Sequence, residues 1–329
     1  MTDWLQAILL GVVQGITEFV PVSSSGHLVL LPYLLGWERP GLAFDVALHA
    51  GTAGAILLYF RGELAGMALA VLRGATTPQG RLHRRMVLLL AAATVPVAVV
   101  GAVLKETFER IFETPPIAAA MLFVTAAVLI GGEKLRDRRV AAASRARSAA
   151  AGDADRRAPS REWAGDPQAE EPPPLEPEAD AGHLPVGLDP ADPAGKDLGA
   201  IGLREAVTVG VAQILALLPG MSRSGTTIMA GVAAGMTREA ATRFSFLLAL
   251  PALIGASVLS LPELGEPGPY SGGAIAAGVV AAFVAGYAAI AFLVRLVART
   301  SLSVFARYLV LAGALGLLGY AMLGPPSTV

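Results

Sequence analysis

The sequence contains no cysteine in its 329 residues. Disulfides, thiolate metal sites and a cysteine nucleophile are therefore excluded. Charge is scarce over most of the chain. Residues 133–204 hold 25 of the 51 charged side chains, which leaves 26 for the other 257 positions. That is about one in ten, against roughly a quarter in a soluble domain. An ordinary soluble enzyme with a charged surface is excluded on that ground. A formal net charge of -1 and the lack of a basic face exclude a nucleic-acid binder. What is present is apolar: 54% of the residues are hydrophobic, and they fall in long runs. The composition is that of a polytopic membrane protein.

A spanning helix needs about 20 mostly apolar residues. Six windows approach this: Phe44–Phe60, Met86–Leu104, Pro116–Gly132, Phe244–Pro262, Gly273–Val294 and Tyr308–Gly324. Two further apolar stretches are interrupted. Trp4–Tyr33 contains Gln14, Glu18, Pro21, three consecutive serines and His27. Ala206–Met236 contains Gln213, Pro219, Gly220, Ser222, Arg223 and Ser224. Irregular backbone at membrane depth is tolerated only where protein or a water-filled cavity covers it. Both stretches are therefore expected to be re-entrant helix–loop–helix elements.

Lys and Arg counts in the connections alternate. They are five in 61–85, two in 105–114, eleven in 133–204, none in 263–272, three in 295–307 and none in the tail. By the positive-inside rule the basic connections are cytoplasmic and both termini lie outside. Asp3 stands where a signal peptide would carry a basic residue, so no signal peptide is expected. Residues 140–197 hold nine of the 23 prolines and no apolar periodicity, and are expected to form a disordered cytoplasmic linker.

The chain repeats itself. Gln14 is followed nine residues later by Ser23-Ser24-Ser25-Gly26, and Gln213 nine residues later by Ser222-Arg223-Ser224-Gly225, an offset of 199 throughout. Each copy has a proline shortly before its serines and three spans after it. Three is odd, so the second copy lies upside down relative to the first. The expected architecture is all-α, with about six spans and two re-entrant pairs in an inverted-topology repeat. Residues 1–139 form the first repeat, 140–197 the linker and 198–329 the second repeat.

An ionisable residue at the bilayer centre costs roughly 2.5–3.5 kcal/mol on insertion scales. Glu18, His27 and Arg223 all lie in apolar stretches, and the repeat would bring them together. Arg223 offers a planar donor fork suited to phosphate. The two SxSG turns offer hydroxyls and backbone N–H groups that also bind phosphate. His27 can move a proton near neutral pH. Glu18 can orient it, activate a hydroxyl, or hold a divalent cation with Gln14. A serine hydroxyl beside these groups can attack phosphorus. Blander roles stand beside each: serines as packing glue in membranes, His27 as a structural turn residue, and Glu18–Arg223 as an ion pair holding the halves together. Asp45 and His49, one helical turn apart, are expected to form a polar lining. His83 and His183 are expected to be uninvolved.

The run from Gln14 to His27, QGITEFVPVSSSGH, and the run from Pro219 to Thr226, PGMSRSGT, resemble the two signature motifs of the undecaprenyl-diphosphatase, or bacitracin-resistance, family. Phe244–Pro251, FSFLLALP, is also similar. The resemblance covers nearly all of the chain outside 140–197. It implies removal of the terminal phosphate from undecaprenyl diphosphate, which recycles the lipid carrier of cell-wall synthesis. It also implies a divalent-cation requirement (Mg or Ca) and an active site open to the outer face of the plasma membrane.

Carried onto this chain, the resemblance implies catalytic roles for Glu18, Ser24, His27 and Arg223. Ser24 is the nucleophile, His27 the acid/base or itself the attacking group, and Arg223 the diphosphate clamp. Ser23, Ser25, Gly26, Ser222, Ser224, Gly225 and Thr227 are expected to bind substrate, and Glu18 with Gln14 to hold the metal. Gln14 stands where the family often has a second glutamate, and it cannot take a proton. Ser25 stands where threonine is common. The expected partners are the bilayer and a polyprenyl diphosphate, with no nucleic acid and a homodimer left open. The alternative is a secondary transporter or lipid flippase, since inverted repeats with broken helices suit transport.

Overall fold

The computed structural model describes residues 2–104, 107, 111, 114–157, 192, 195–259, 269–297 and 299–325. Eleven α-helices make up these residues, with a single turn of 3₁₀ helix at Ile214–Leu217. They run α1 (Thr2–Phe19), α2 (Ser24–Leu35), α3 (Leu42–Tyr59), α4 (Arg61–Leu72), α5 (Pro78–Val103), α6 (Pro115–Arg157), α7 (Leu203–Gln213), α8 (Arg223–Ala233), α9 (Arg238–Leu259), α10 (Gly272–Val297) and α11 (Val304–Leu323).

The chain is an all-α polytopic membrane protein. Helices α5, α6, α9, α10 and α11 are each long and apolar enough to cross a membrane. The sixth expected span, Phe44–Phe60, is helix α3, and it does not stand alone. It bends by 81° into α4. Phe60, fully buried, fills the corner, and Glu63 at the start of α4 pairs with Arg243 of α9 at 3.2 Å. The charged run Arg61-Gly-Glu63 thus turns the chain aside instead of prolonging the apolar helix.

Both interrupted stretches fold as helix pairs. Helices α2, α7 and α8 have 12, 11 and 11 residues. At 1.5 Å per residue they rise about 16–18 Å, little more than half the hydrocarbon thickness. Each pair is joined by a turn at its polar motif.

Part of the expected linker is folded. Helix α6 continues through residues 140–157, carried past its apolar section by an Ala- and Arg-rich sequence of high helix propensity. Asp192 is fully buried and pairs with Arg139 of α6, and Lys196 pairs with Glu205 of α7 at 2.7 Å. Arg139 also donates to Val232 O at 2.8 Å, so it caps the C-terminal end of α8. The remainder of 140–197 lies outside the described residues.

The packing follows the repeat. Helix α1 packs on α10, and its counterpart α7 packs on α5, the counterpart of α10. Helix α6 packs on its own counterpart α11, and α3 on its counterpart α9. Residues 199 apart perform the same task. A Cβ at Gly11 would lie 2.2 Å from Gly278 O, and one at Gly210 would lie 2.3 Å from Ala93 O. Neither helix could approach so closely with any side chain at that position.

Candidate functional site

Two equivalent turns build the site. Ser23 caps α2, its Oγ accepting the Gly26 N–H at 3.1 Å. Ser222 caps α8, its Oγ accepting the Gly225 N–H at 3.0 Å. Ser23 and Ser25 hydroxyls lie 3.4 Å apart, and Ser222 and Ser224 hydroxyls 3.2 Å apart. These are N-caps of the preferred residue type. The turns then touch. The Gly220 N–H donates to Ser25 Oγ at 3.2 Å, and Ser224 Oγ donates to Val20 O at 3.4 Å. The positive ends of two helix dipoles therefore converge on one place.

The turns differ in one respect. Ser23 is the only non-glycine residue with positive φ, 73°, among the described residues. In the second turn the left-handed position falls on Gly220, φ 88°, where a Cβ would lie 2.1 Å from Ala118 O. Thr125 of α6 braces this second turn, accepting the Ser222 N–H at 3.1 Å and donating to Gly220 O at 3.2 Å.

Glu18 sits at the meeting point, 5% exposed. Its Oε1 accepts from Arg223 Nη2 at 2.7 Å. Its Oε2 accepts from Ser24 Oγ at 2.6 Å and from Gln14 Nε2 at 3.1 Å. His49 Nε2 lies 3.9 Å from the same oxygen. Arg223 also donates through Nη1 to Ser245 O of α9 at 3.1 Å. The carboxylate thus bridges a hydroxyl of the first turn and the guanidinium of the second.

His27 points elsewhere. Its Nδ1 is 2.7 Å from Ser23 O, and its Nε2 is 2.6 Å from the hydroxyl of Tyr308 on α11. A carbonyl only accepts, so the ring proton is on Nδ1. His27 is three residues beyond Ser24 on α2, hence on the same face one turn along.

The expected site residues divide by exposure. Ser24, Ser25, His27 and Arg223 are partly open. Ser23, Gly26, Ser222, Ser224, Gly225 and Thr227 are buried. Thr227 Oγ1 is 2.6 Å from Ser245 Oγ and donates to Arg223 O at 2.7 Å, so it braces Arg223 from behind. Gln14 is wholly buried, and its Oε1 has no hydrogen-bond partner among the described residues.

Three neighbours were not legible as site residues: His49, Ser245 and Tyr308. The Asp45–His49 spacing hinted at the first, and Ser245 lies within the family-like run Phe244–Pro251. Asp45 supplies a backbone carbonyl 2.6 Å from His49 Nδ1, which turns His49 Nε2 toward Glu18.

The arrangement can bind an anion and can activate a hydroxyl. Comparison with known proteins agrees in kind. The profile of a family described as bacitracin resistance protein BacA matches residues 7–154 and 187–315. The chain belongs to the BacA family. Curated relatives carry the name undecaprenyl-diphosphatase. That of Gemmatimonas aurantiaca is 38% identical over 318 residues, 95% of this chain and 96% of that protein. That of Mycobacterium avium is 38% identical over 337 residues, covering 97% and 98%. That of Geobacter sulfurreducens is 36% identical over 313 residues, covering 94% and 96%. The BacA match spans both helix pairs, including Glu18 and Arg223.

Proposed function

We propose that this BacA-family protein hydrolyses undecaprenyl diphosphate to undecaprenyl phosphate and inorganic phosphate at the joined turns. The observation that carries the chemistry is Glu18 held between Ser24 Oγ, 2.6 Å, and Arg223 Nη2, 2.7 Å. Family membership and the relatives' names support the substrate.

In this reading the diphosphate lies over the N-termini of α2 and α8. Arg223 is the clamp: a guanidinium has five donors, so its bonds to Glu18 and Ser245 leave others for phosphate oxygens. Glu18 accepts the Ser24 proton as Oγ attacks the terminal phosphorus. The bond to the bridging oxygen breaks, and undecaprenyl phosphate leaves. Water then cleaves the phosphoserine: His27, one turn from Ser24, takes the water's proton, and Glu18 returns its proton to Ser24 Oγ as the P–Oγ bond breaks. Ser25 is open enough to contact substrate. Ser23, Gly26, Ser222, Ser224, Gly225 and Thr227 hold the turns and Arg223 in place.

The residues present fit a divalent cation shared with the substrate. Among the described residues no three His, Cys, Asp or Glu groups form a closed cage. Mg²⁺ uses one or two protein carboxylates and completes its shell from phosphate and water. Glu18 and the unpartnered Oε1 of Gln14 offer such a partial set. The cation would neutralise diphosphate charge there.

In this reading the site opens to the outer face of the plasma membrane, as the family resemblance implies, the side on which the positive-inside rule puts both termini. The inverted repeats alone would also suit a transporter or flippase, but a hydroxyl hydrogen-bonded to a carboxylate favours the enzyme. The test is phosphate release from undecaprenyl diphosphate by the purified protein in detergent, with and without chelator. Release that chelator suppresses is expected. No release, with lipid binding intact, would return the transporter reading.

A further inference from the structure

The assigned reaction gives His27 a proton to move but assigns nothing that holds the ring. A histidine in acid–base work needs its tautomer and plane set by a partner, and a carboxylate often does this. Among the described residues, none of the hydrogen bonds to His27 comes from a carboxylate. Its Nδ1 is satisfied within its own helix by Ser23 O, and its Nε2 meets Tyr308 OH at 2.6 Å across 281 positions of sequence. The two ring planes are within 5° of parallel, with centroids 5.6 Å apart.

The fold is built for this contact. Helix α11 runs beside α2, and the Leu30 side chain of α2 packs over Gly316, where a Cβ would lie 3.1 Å from Leu30 Cδ1. Tyr33 of α2 donates to Gly324 O at 2.5 Å, beyond the far end of α11. The start of α11 is thereby set beside His27, while Tyr308 remains 46% exposed. A core role does not account for a tyrosine so open, yet with its hydroxyl at hydrogen-bond distance from a single imidazole nitrogen.

We propose that Tyr308 positions His27 and passes it the proton it takes up. With the proton on Nδ1, the phenol donates to the Nε2 lone pair. The phenol fills the single Nε2 lone pair, so a proton reaches Nε2 through it: the phenol gives its own hydrogen to Nε2, takes the water's in exchange, and its oxygen then accepts the Nε2–H. A hydroxyl serves both states in place, so the imidazole keeps its plane through the cycle. Phenylalanine would preserve the stacking and lose both bonds. This inference rests on the phosphatase reading above, in which His27 takes a proton from water.

The test is Tyr308→Phe, assayed for phosphate release from undecaprenyl diphosphate beside wild type, His27→Ala and the double variant. A fall in kcat of about tenfold with KM within twofold is expected, since the phenol is assigned no contact with the diphosphate. In the His27→Ala background the same substitution should have no further effect. A kcat within twofold of wild type, a loss carried by KM, or an equal loss without His27 would each overturn the proposal.

A second arm does not depend on activity. The chain has four histidines, so ¹⁵N-histidine labelling with His27→Ala as reference isolates the His27 signals. Wild type should show a single Nδ1–H tautomer, and Tyr308→Phe a shifted Nε2. An unchanged Nε2 would overturn the contact even if kcat fell. If wild type releases no phosphate at all, the reaction assignment fails while this arm still judges the contact.

Discussion

Glu18 and Arg223 are 205 residues apart in sequence and 2.7 Å apart in space. They come from opposite copies of the repeat, and each is mostly buried, 5% and 15% exposed. Neither charge is tolerable alone when so buried. Each is stabilised by the other, and Ser24, Gln14 and Ser245 satisfy further bonding positions.

Removing one partner therefore does double damage. Arg223→Ala strips the anion clamp and leaves a buried carboxylate uncompensated, a change worth about 3 kcal/mol or more in buried pairs. Phosphate release should fall below detection, and the melting temperature in detergent should drop. Full activity in this variant would remove the clamp from the mechanism.

The serines should separate by role. Ser24 donates to Glu18, whereas Ser23 caps α2. Ser24→Ala should lower kcat by at least about 10²-fold, as expected for loss of an activated nucleophile, with little change in stability. Ser23→Ala should cost about 1 kcal/mol of stability through the lost cap. Thermal melts alongside initial rates distinguish the two. If Ser24→Ala kept most of its turnover, the attacking group would be His27.

Gln14→Glu places a second carboxylate beside Glu18, at the amide oxygen that has no partner. Turnover should be retained, and the divalent-cation concentration for half-maximal rate should fall. Titrating Mg²⁺ or Ca²⁺ after chelation measures this. An unchanged cation response would remove Gln14 from the cation site.

The segment between the two repeats should prove divisible at Asp192. Replacing residues 158–191 with a short Gly/Ser linker should leave turnover within about twofold, because that composition offers no chemistry. Asp192→Ala should destabilise the protein by about 3 kcal/mol, since it leaves the Arg139 guanidinium at the end of α8 without its buried counterion. Collapse of the linker replacement with normal Asp192→Ala would invert this assignment.

Equivalent glycines should respond alike. Gly11→Ala and Gly210→Ala each drive a methyl into the backbone of a facing helix, at 2.2 and 2.3 Å. Each should cost about 1–3 kcal/mol by overpacking. Tolerance at one and failure at the other would break the structural equivalence of the two helix pairs.

The spans were legible because a bilayer demands length and apolarity, and both are written in order along the chain. The two broken elements were legible for the complementary reason. Glu18, His27 and Arg223 could not face lipid, and the offset of 199 announced that their turns would meet. Helix α4 was not foreseen, because an apolar run does not reveal an 81° bend stabilised by a remote Arg243. The folded part of the linker was hidden by its composition, which suits both a charged helix and an unstructured chain.

Sequence alone therefore determined the class of fold, the repeat and which buried charges needed partners, because these follow from the cost of polar groups in hydrocarbon. Tertiary structure alone decided the pairings: Glu18 with Ser24 and Arg223, His49 turned to Glu18, and His27 turned away to Tyr308. Those choices depend on how closely helices distant in sequence can approach. Here the approach is set by glycines whose effect appears only once the facing backbone is in place.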